Sequence, residues 1–216
     1  MPPIALTVLL LLCAYLLGSV SGSLLLGRLR GVDIRRHGSG NAGGTNALRT
    51  LGWRFALGVV AIDVGKGALA AWLALRFAPL GQALDVTAHG YAAAACAVVG
   101  HVWPLWHALR GGKGAETAVG GLLMLWPWSI GVLLPVWMLV LVATGYVGLS
   151  TVLAALALLM LAWGSDAEPA RLWFSMFAAL FIAFTHRANL QRLRQGTESR
   201  FERARLLHRL HRGWSR

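Results

Sequence analysis

The chain has 216 residues, 57% of them apolar and only 13% charged, with a formal net charge of +12 and a mean hydropathy of +0.62. That balance excludes an ordinary soluble domain and describes a polytopic membrane protein. The basic charge is confined to loops and the tail, so it points to an anionic membrane face and anionic substrates rather than to nucleic acid.

A spanning helix needs about 20 apolar residues. Residues 4–26 form the first candidate, read as a retained helix because no basic stretch precedes it. Residues 27–54 are polar and hold the run Gly38-Ser39-Gly40-Asn41-Ala42-Gly43-Gly44-Thr45-Asn46, followed by Arg49 and Gly52. Residues 55–77 form the second span. It carries Asp63 and Lys66, three apart on one helix face, and we read them as a structural ion pair. Residues 78–86 connect it, through Pro79 and Gly81, to a third span over 87–106 rich in small residues. Residues 107–116 make a second polar loop with Arg110-Gly111-Gly112-Lys113-Gly114.

The apolar stretch over 117–142 contains Pro127 and is too long for one span and short for two. The reading here is two short helices with a turn near 126–129, against the alternative of one kinked helix. Trp126 and Trp128 then lie at an interface, where indole rings settle. Residues 143–148 break the chain, 149–163 form the sixth span, 164–170 connect, 171–184 form the seventh, and 185–216 are a basic tail. Within it residues 200–216 are expected as an interfacial helix with Leu206, Leu207 and Leu210 on its apolar side. Cys13 and Cys96 sit in apolar runs and suit core packing.

Charge sets the expected orientation. Residues 27–54 hold six Arg, residues 107–116 hold Arg110 and Lys113, and residues 186–216 hold nine Arg, together 17 of the 20 basic residues. With seven spans these segments share one side, which the positive-inside rule places in the cytoplasm, with the N-terminus outside. Six spans would export nine Arg. The expected fold is therefore an all-α bundle of seven transmembrane helices, a single domain over residues 1–216 with a cytoplasmic C-terminus.

Glycine-rich runs let backbone N–H groups line a concave anion nest. Ser39, Asn41, Thr45 and Asn46 add neutral donors, and Arg49 adds a forked cation suited to phosphate. Lys113 with Gly111, Gly112 and Gly114 makes a second such nest, and His186 with Asn189 a third polar group. These segments suit more than one phosphate. The seven His are not paired with carboxylates at ligand spacing, so no metal site is expected. Lys113 is followed by Gly114, which rules out a Walker A loop.

Gly38-Ser39-Gly40-Asn41-x-Gly43-x-Thr45-Asn46-x-x-Arg49-x-x-Gly52 resembles the first motif of the PlsY family, the bacterial acyl-phosphate:glycerol-3-phosphate acyltransferases. Gly100-His101-x-Trp103-Pro104 through Gly111-Gly112-Lys113-Gly114 and Thr117 resembles its second motif. His186-Arg187-x-Asn189-Leu190-x-Arg192-Leu193-x-x-Gly196-x-Glu198 resembles its third. Asp63-x-x-Lys66-Gly67 and Gly145-Tyr146 with Ser150 are smaller matches. The chain departs from the pattern at Trp103, Trp106, Arg110 and Glu116. The last is a carboxylate where a small residue is expected, three residues from Lys113.

The resemblance implies transfer of a fatty acyl group from a long-chain acyl phosphate to the 1-hydroxyl of glycerol 3-phosphate. The products would be lysophosphatidate and phosphate, with no cofactor, at the cytoplasmic face of the bacterial inner membrane. Arg49 and Lys113 would neutralise phosphates, Ser39 and the first loop would hold the leaving phosphate, and residues 111–114 would hold glycerol 3-phosphate. Either His186 or a substrate phosphate would take the proton. Asn189 would act with His186, and Ser150 would add a phosphate donor. Gly38, Gly40, Asn41, Gly43, Thr45 and Asn46 complete the expected substrate contacts. Glu198 is expected to pair or cap within the tail. The rival from another class is a transporter for a phosphorylated solute, which would spread polar groups through the spans to both faces.

Overall fold

The computed structural model describes residues 2–79, 85–165 and 167–202, all helix and connecting loop, with no strand among the described residues. The chain divides into two units, Met1–Pro127 and Trp128–Arg216. The expected interfacial helix over 200–216 falls mostly on residues 203–216, which lie outside the described residues, as does Gly81.

In the first unit α1 (Pro3–Gly18) and α2 (Gly22–Leu29) replace the single first helix expected over 4–26, meeting at 48°. The run Gly18-Ser19-Val20-Ser21-Gly22 interrupts the apolar stretch with small polar residues. The Ser19 hydroxyl donates back to the Tyr15 carbonyl at 3.0 Å, a local bond that competes with helix continuation. The residues between 27 and 54 are not all loop. They include the end of α2, a short turn at Ile34–Arg36 and α3 (Gly44–Leu51). After Gly52 come α4 (Trp53–Phe77), α5 (Val86–Val102) and α6 (Ala115–Leu125).

Contacts fix the helix directions within this unit. Thr7 of α1 bonds His89 of α5, and Gly18 lies on Ala97, so α1 and α5 run parallel. Gly90 of α5 lies on Leu75 of α4 while His101 reaches Lys66, so α5 runs against α4. The Gly44 position meets Val60 of α4 and Glu116 of α6, and Gly90 meets Leu75 of α4 and Leu125 of α6, so α4 and α6 run parallel, crossing closely where Gly67 lies on Thr117 and Gly120 on Val64. Small residues at these crossings allow backbones to approach, as in other membrane bundles. This up-and-down order brings residues 30–52 and 103–114 to one end of the unit. The core is built of alanines, with Ala70, Ala74, Ala93 and Ala97 buried around Ala14.

α6 ends at Leu125, and a short turn at Pro127–Ser129 precedes α7 (Ile130–Thr144). The stretch 117–142 is thus two helices rather than one kinked helix, as Pro127 predicts. In the second unit α7 ends at Gly145, whose φ of 79° closes the turn into α8 (Val147–Gly164). The Trp137 indole donates to Thr151 across the pair at 3.1 Å. α9 (Pro169–Thr185) packs on α8 and carries a stripe of phenylalanines, of which Phe177 and Phe181 stack at 5.1 Å. His186 ends it and opens α10 (Arg187–Arg194).

Three described helical segments are long and apolar enough to cross a bilayer: α4, α7 with its preceding turn, and α8. The bent α1–α2 pair makes a fourth, and α6 and α9 are shorter apolar helices. The protein is an all-helical integral membrane protein.

Candidate functional site

The first glycine loop is organised from inside by one side chain. Asn46, in the first turn of α3 and buried, accepts the Ser39 N–H at 3.0 Å. Its amide nitrogen lies 3.2 Å from the Ile34 carbonyl and 3.0 Å from those of His37 and Asn41. Gly38 has a φ of +58°, and a Cβ there would strike the Asn46 side chain. Glycine is required for both reasons. Ser39 and Gly40 are left exposed at the tip, with Arg49 exposed on the last turn of α3. Asn41 and Thr45 are half-buried and Gly43 is buried at the helix start. Asn46 therefore shapes the loop with its side chain, whereas Ser39 and Arg49 are exposed.

Beside this loop, Asp33 grips Arg35, with the shortest contact 2.9 Å. The Arg35 hydrogen bonds hold the Asp33 carboxyl well below the usual carboxylate range, at about 2. The Arg35 guanidinium also donates to the carbonyls of His107 (3.1 Å) and Arg110 (3.4 Å) in the second loop. Partial burial, then the nearby Arg35 and Arg28 charges, push the His107 imidazole below its ordinary value.

The second loop folds onto the end of α5. The N–H groups of Gly111 and Gly112 donate to the carbonyls of Val102 and His101. Gly112 packs so closely on the His101 ring that a Cβ would overlap it. Gly114, at φ +87°, turns the chain into α6. Lys113 is half-buried between them. A second tie joins the two loops: the Glu116 carboxyl accepts the Gly44 N–H at the start of α3, at 3.1 and 3.4 Å. A carboxyl oxygen suits the positive end of a helix. The structure thus brings the Ser39–Arg49 and Gly111–Lys113 segments to one end of the first unit and cross-links them through Arg35 and Glu116.

Beneath the loops lies a buried charged cluster. Lys66 Nζ bonds Asp63 Oδ1 at 2.8 Å, the Val20 carbonyl at 2.7 Å and His101 Nδ1 at 2.8 Å. Asp63 Oδ1 also accepts the Gly22 N–H at 3.0 Å. The break between α1 and α2 supplies both backbone partners. The expected ion pair is present, and His101 joins it.

In the second unit, residues at one end of α8 meet α10. Gly148 lies against the Asn189 side chain. Asn189 donates to Glu198 at 2.6 Å, and Arg192 pairs with the other carboxylate oxygen at 2.6 Å. His186 is buried, and its Nδ1 lies 2.8 Å from the Ile182 carbonyl. In the neutral ring Nδ1 then carries the proton and Nε2 the lone pair. Ser150 is fully buried and its hydroxyl donates to the Tyr146 carbonyl at 2.9 Å, so its proton is used within its own helix. The chain returns beyond Glu198: the Phe201 N–H donates to the Gly145 carbonyl at 2.7 Å, and Arg200 both donates to the Tyr146 hydroxyl (2.7 Å) and covers its ring. No group of metal-ligating side chains occurs among the described residues.

Sequence reasoning placed the loops but not the ties between them. Glu116 stands out by its type, yet that does not reveal its partner, and Ser19 and Ser21 fall inside the stretch read as a single first helix.

A family model described as glycerol-3-phosphate acyltransferase matches residues 8–196. Among curated proteins, the glycerol-3-phosphate acyltransferase of Salinibacter ruber is 40% identical, covering 90% of this chain and 92% of its own. That of Parasynechococcus marenigrum is 44% identical, covering 91% of each. Among solved structures, PlsY (YgiH), an integral membrane glycerol 3-phosphate acyltransferase, matches in its glycerol 3-phosphate form with a TM-score of 0.83 at 29% identity, covering 90% of this chain and 95% of that one. Its lysophosphatidic acid form matches with a TM-score of 0.81.

Proposed function

The chain belongs to the glycerol-3-phosphate acyltransferase family, and from that premise we propose that it transfers a fatty acyl group from acyl phosphate to the 1-hydroxyl of glycerol 3-phosphate. The products are lysophosphatidate and inorganic phosphate, the first acylation of phospholipid synthesis. The observation that carries this reading is the pairing of two glycine loops, one presenting Arg49 and the other Lys113, at a single end of an apolar helix unit. One substrate is a soluble dianion and the other a lipid with a phosphate head. Such an end offers each phosphate a cation on a polar loop beside the bilayer.

Acyl phosphate is a mixed anhydride and already activated. The protein's task is to align the hydroxyl with the carbonyl, stabilise charge and release phosphate. Ser39, Gly38, Gly40, Asn41, Gly43 and Thr45, with Arg49, hold the phosphate that leaves. Lys113 holds the phosphate of glycerol 3-phosphate, while Gly111, Gly112 and Gly114 shape its loop, the Gly111 and Gly112 N–H groups being taken by the Val102 and His101 carbonyls. Asn46 holds the first loop in shape. The hydroxyl oxygen attacks the acyl carbonyl carbon, the C–O bond to phosphate breaks, and the proton passes to His186 Nε2 or to a phosphate oxygen. The tautomer set by the Ile182 carbonyl leaves Nε2 suited to accept it. Asn189, whose amide is oriented by Glu198, is assigned with His186 to the proton step. Ser150 is left with a packing role by its bond to Tyr146. The topology that goes with this reading has seven spans, the loops in the cytoplasm of a bacterial cell and the chain in its inner membrane. No cofactor, metal or nucleic acid takes part.

Two single variants test the assignment. Lys113→Ala should raise the KM for glycerol 3-phosphate by at least tenfold, and Arg49→Ala should chiefly lower kcat and weaken inhibition by inorganic phosphate. Identical effects of the two on both substrates would refute separate phosphate sites.

A further inference from the structure

The cluster of Asp63, Lys66, His101 and Glu116 takes no step in the reaction, and its hydrogen-bond count does not close as drawn. The Lys66 ammonium has three hydrogens and three acceptors: the Val20 carbonyl at 2.7 Å, Asp63 Oδ1 at 2.8 Å and His101 Nδ1 at 2.8 Å. Nothing is left on Lys66 for a further carboxylate. His101 Nδ1 lies 2.8 Å from the ammonium and 3.4 Å from Asp63 Oδ1; offering its lone pair to the nearer ammonium leaves the ring neutral with its proton on Nε2. Asp63 Oδ1 takes Lys66 and the Gly22 N–H, while Asp63 Oδ2, fully buried, has no hydrogen-bond partner among the described residues. Glu116 accepts the Gly44 N–H, and its carboxyl borders the Gly44 position together with Val60 of α4, one turn before Asp63.

With both carboxyls ionised the cluster would hold two negative charges against one positive, plus an unpaired buried oxygen. Like charges so placed cannot both persist away from water. A proton on His101 Nδ1 would turn an N–H toward the Lys66 ammonium at 2.8 Å and, reaching only Asp63 Oδ1 at 3.4 Å, would leave Oδ2 without a donor. We propose that Glu116 is a positioning residue that works as a neutral acid, its carboxyl O–H donating to Asp63 Oδ2 and its other oxygen accepting the Gly44 N–H. One proton then supplies the donor that Asp63 Oδ2 lacks. The acid bridges α4 to the first turn of α3, and because Glu116 follows Lys113 by three residues, it sets the Arg49 helix against the Lys113 loop. The groups facing it are Asp63 and Lys66 from α4, His101 from α5 and the Gly44 N–H from α3.

The test has two arms, the first independent of the proposed reaction. Infrared difference spectra of the purified wild-type protein against Glu116→Gln, at neutral pH in lipid, should contain the C=O stretch of a protonated carboxyl that moves in D2O. Absence of that band in the wild type overturns the proposal. The second arm rests on the acyltransferase reading. Gln presents an N–H to Asp63 and a carbonyl to Gly44, so Glu116→Gln should keep kcat/KM within about threefold, while the apolar Glu116→Leu should lose at least about tenfold. Equal loss in both variants overturns the proposal, and if Glu116→Leu does not fold, retention or loss of activity in Glu116→Gln decides alone.

Discussion

Lys66 is the most exacting residue of the first unit, and replacing it with Met makes the sharpest prediction. The methionine keeps the length and apolar stem of the lysine but removes three hydrogen bonds at once. It leaves the Asp63 carboxylate, fully buried, without its lysine counter-charge, and strips a donor from the Val20 carbonyl and His101. Removing one partner of a buried ion pair costs about 3–5 kcal/mol. For a chain of this size that corresponds to a fall in Tm of roughly 6–20 °C. Adding Asp63→Leu removes the stranded charge, so the double variant should recover part of the loss. Full recovery is not expected, because Val20 and Gly22 stay unpaired at the helix break, each worth about 1–3 kcal/mol. The assay is thermal unfolding of detergent-purified protein followed by tryptophan fluorescence. A Tm change under about 3 °C in Lys66→Met, or a double variant as unstable as the sum of the singles, would refute the claim that the cluster holds α1, α2 and α4 together.

Other outcomes follow from the loops. Asn46→Ala should cripple activity although the side chain faces the loop backbone, and Gly38→Ala should do the same because its Cβ displaces Asn46. Steady-state kinetics at unchanged membrane yield measures both, and near wild-type rates would refute the organising role of Asn46. The depressed Asp33 carboxyl stabilises its loop fully above its ordinary pKa and loses that contribution only as pH falls toward about 2. Asp33→Asn should therefore leave the shape of the pH–rate profile unchanged between about pH 5 and 8, and a shifted acid limb there would contradict it. Glu198→Ala frees Asn189 and Arg192 together. It should lower kcat by at least tenfold with little change in glycerol 3-phosphate KM, whereas a pure KM effect would contradict the orienting role.

What the chain reveals by itself depends on range. Pro127 marks the boundary between α6 and α7 locally, and the split follows. Asp63 and Lys66 sit one turn apart, so their pairing is legible from spacing alone. His101 joins them from 35 residues away and Glu116 meets Gly44 across 72, and no periodicity encodes such meetings. The break at Ser19–Ser21 was within reach, since five small residues interrupt an apolar run. An apolar average hides it, because the flanking leucines dominate the window. α3 lies inside a segment read as loop because its glycines and polar residues disguise a short helix that tertiary bonds stabilise. Ser150 suggested a phosphate contact by residue type, but its position in the first turn of α8 turns the hydroxyl onto the Tyr146 carbonyl.

The central claim is the identity of the acyl donor, and one assay reaches it directly. Purified protein in lipid receives glycerol 3-phosphate with palmitoyl phosphate or, separately, with palmitoyl-CoA, while phosphate release and lysophosphatidate are followed together. Turnover with palmitoyl phosphate alone, one phosphate released per lysophosphatidate formed and both lost in Arg49→Ala, is the predicted result. Turnover with palmitoyl-CoA, or none with either donor in folded protein, would contradict it.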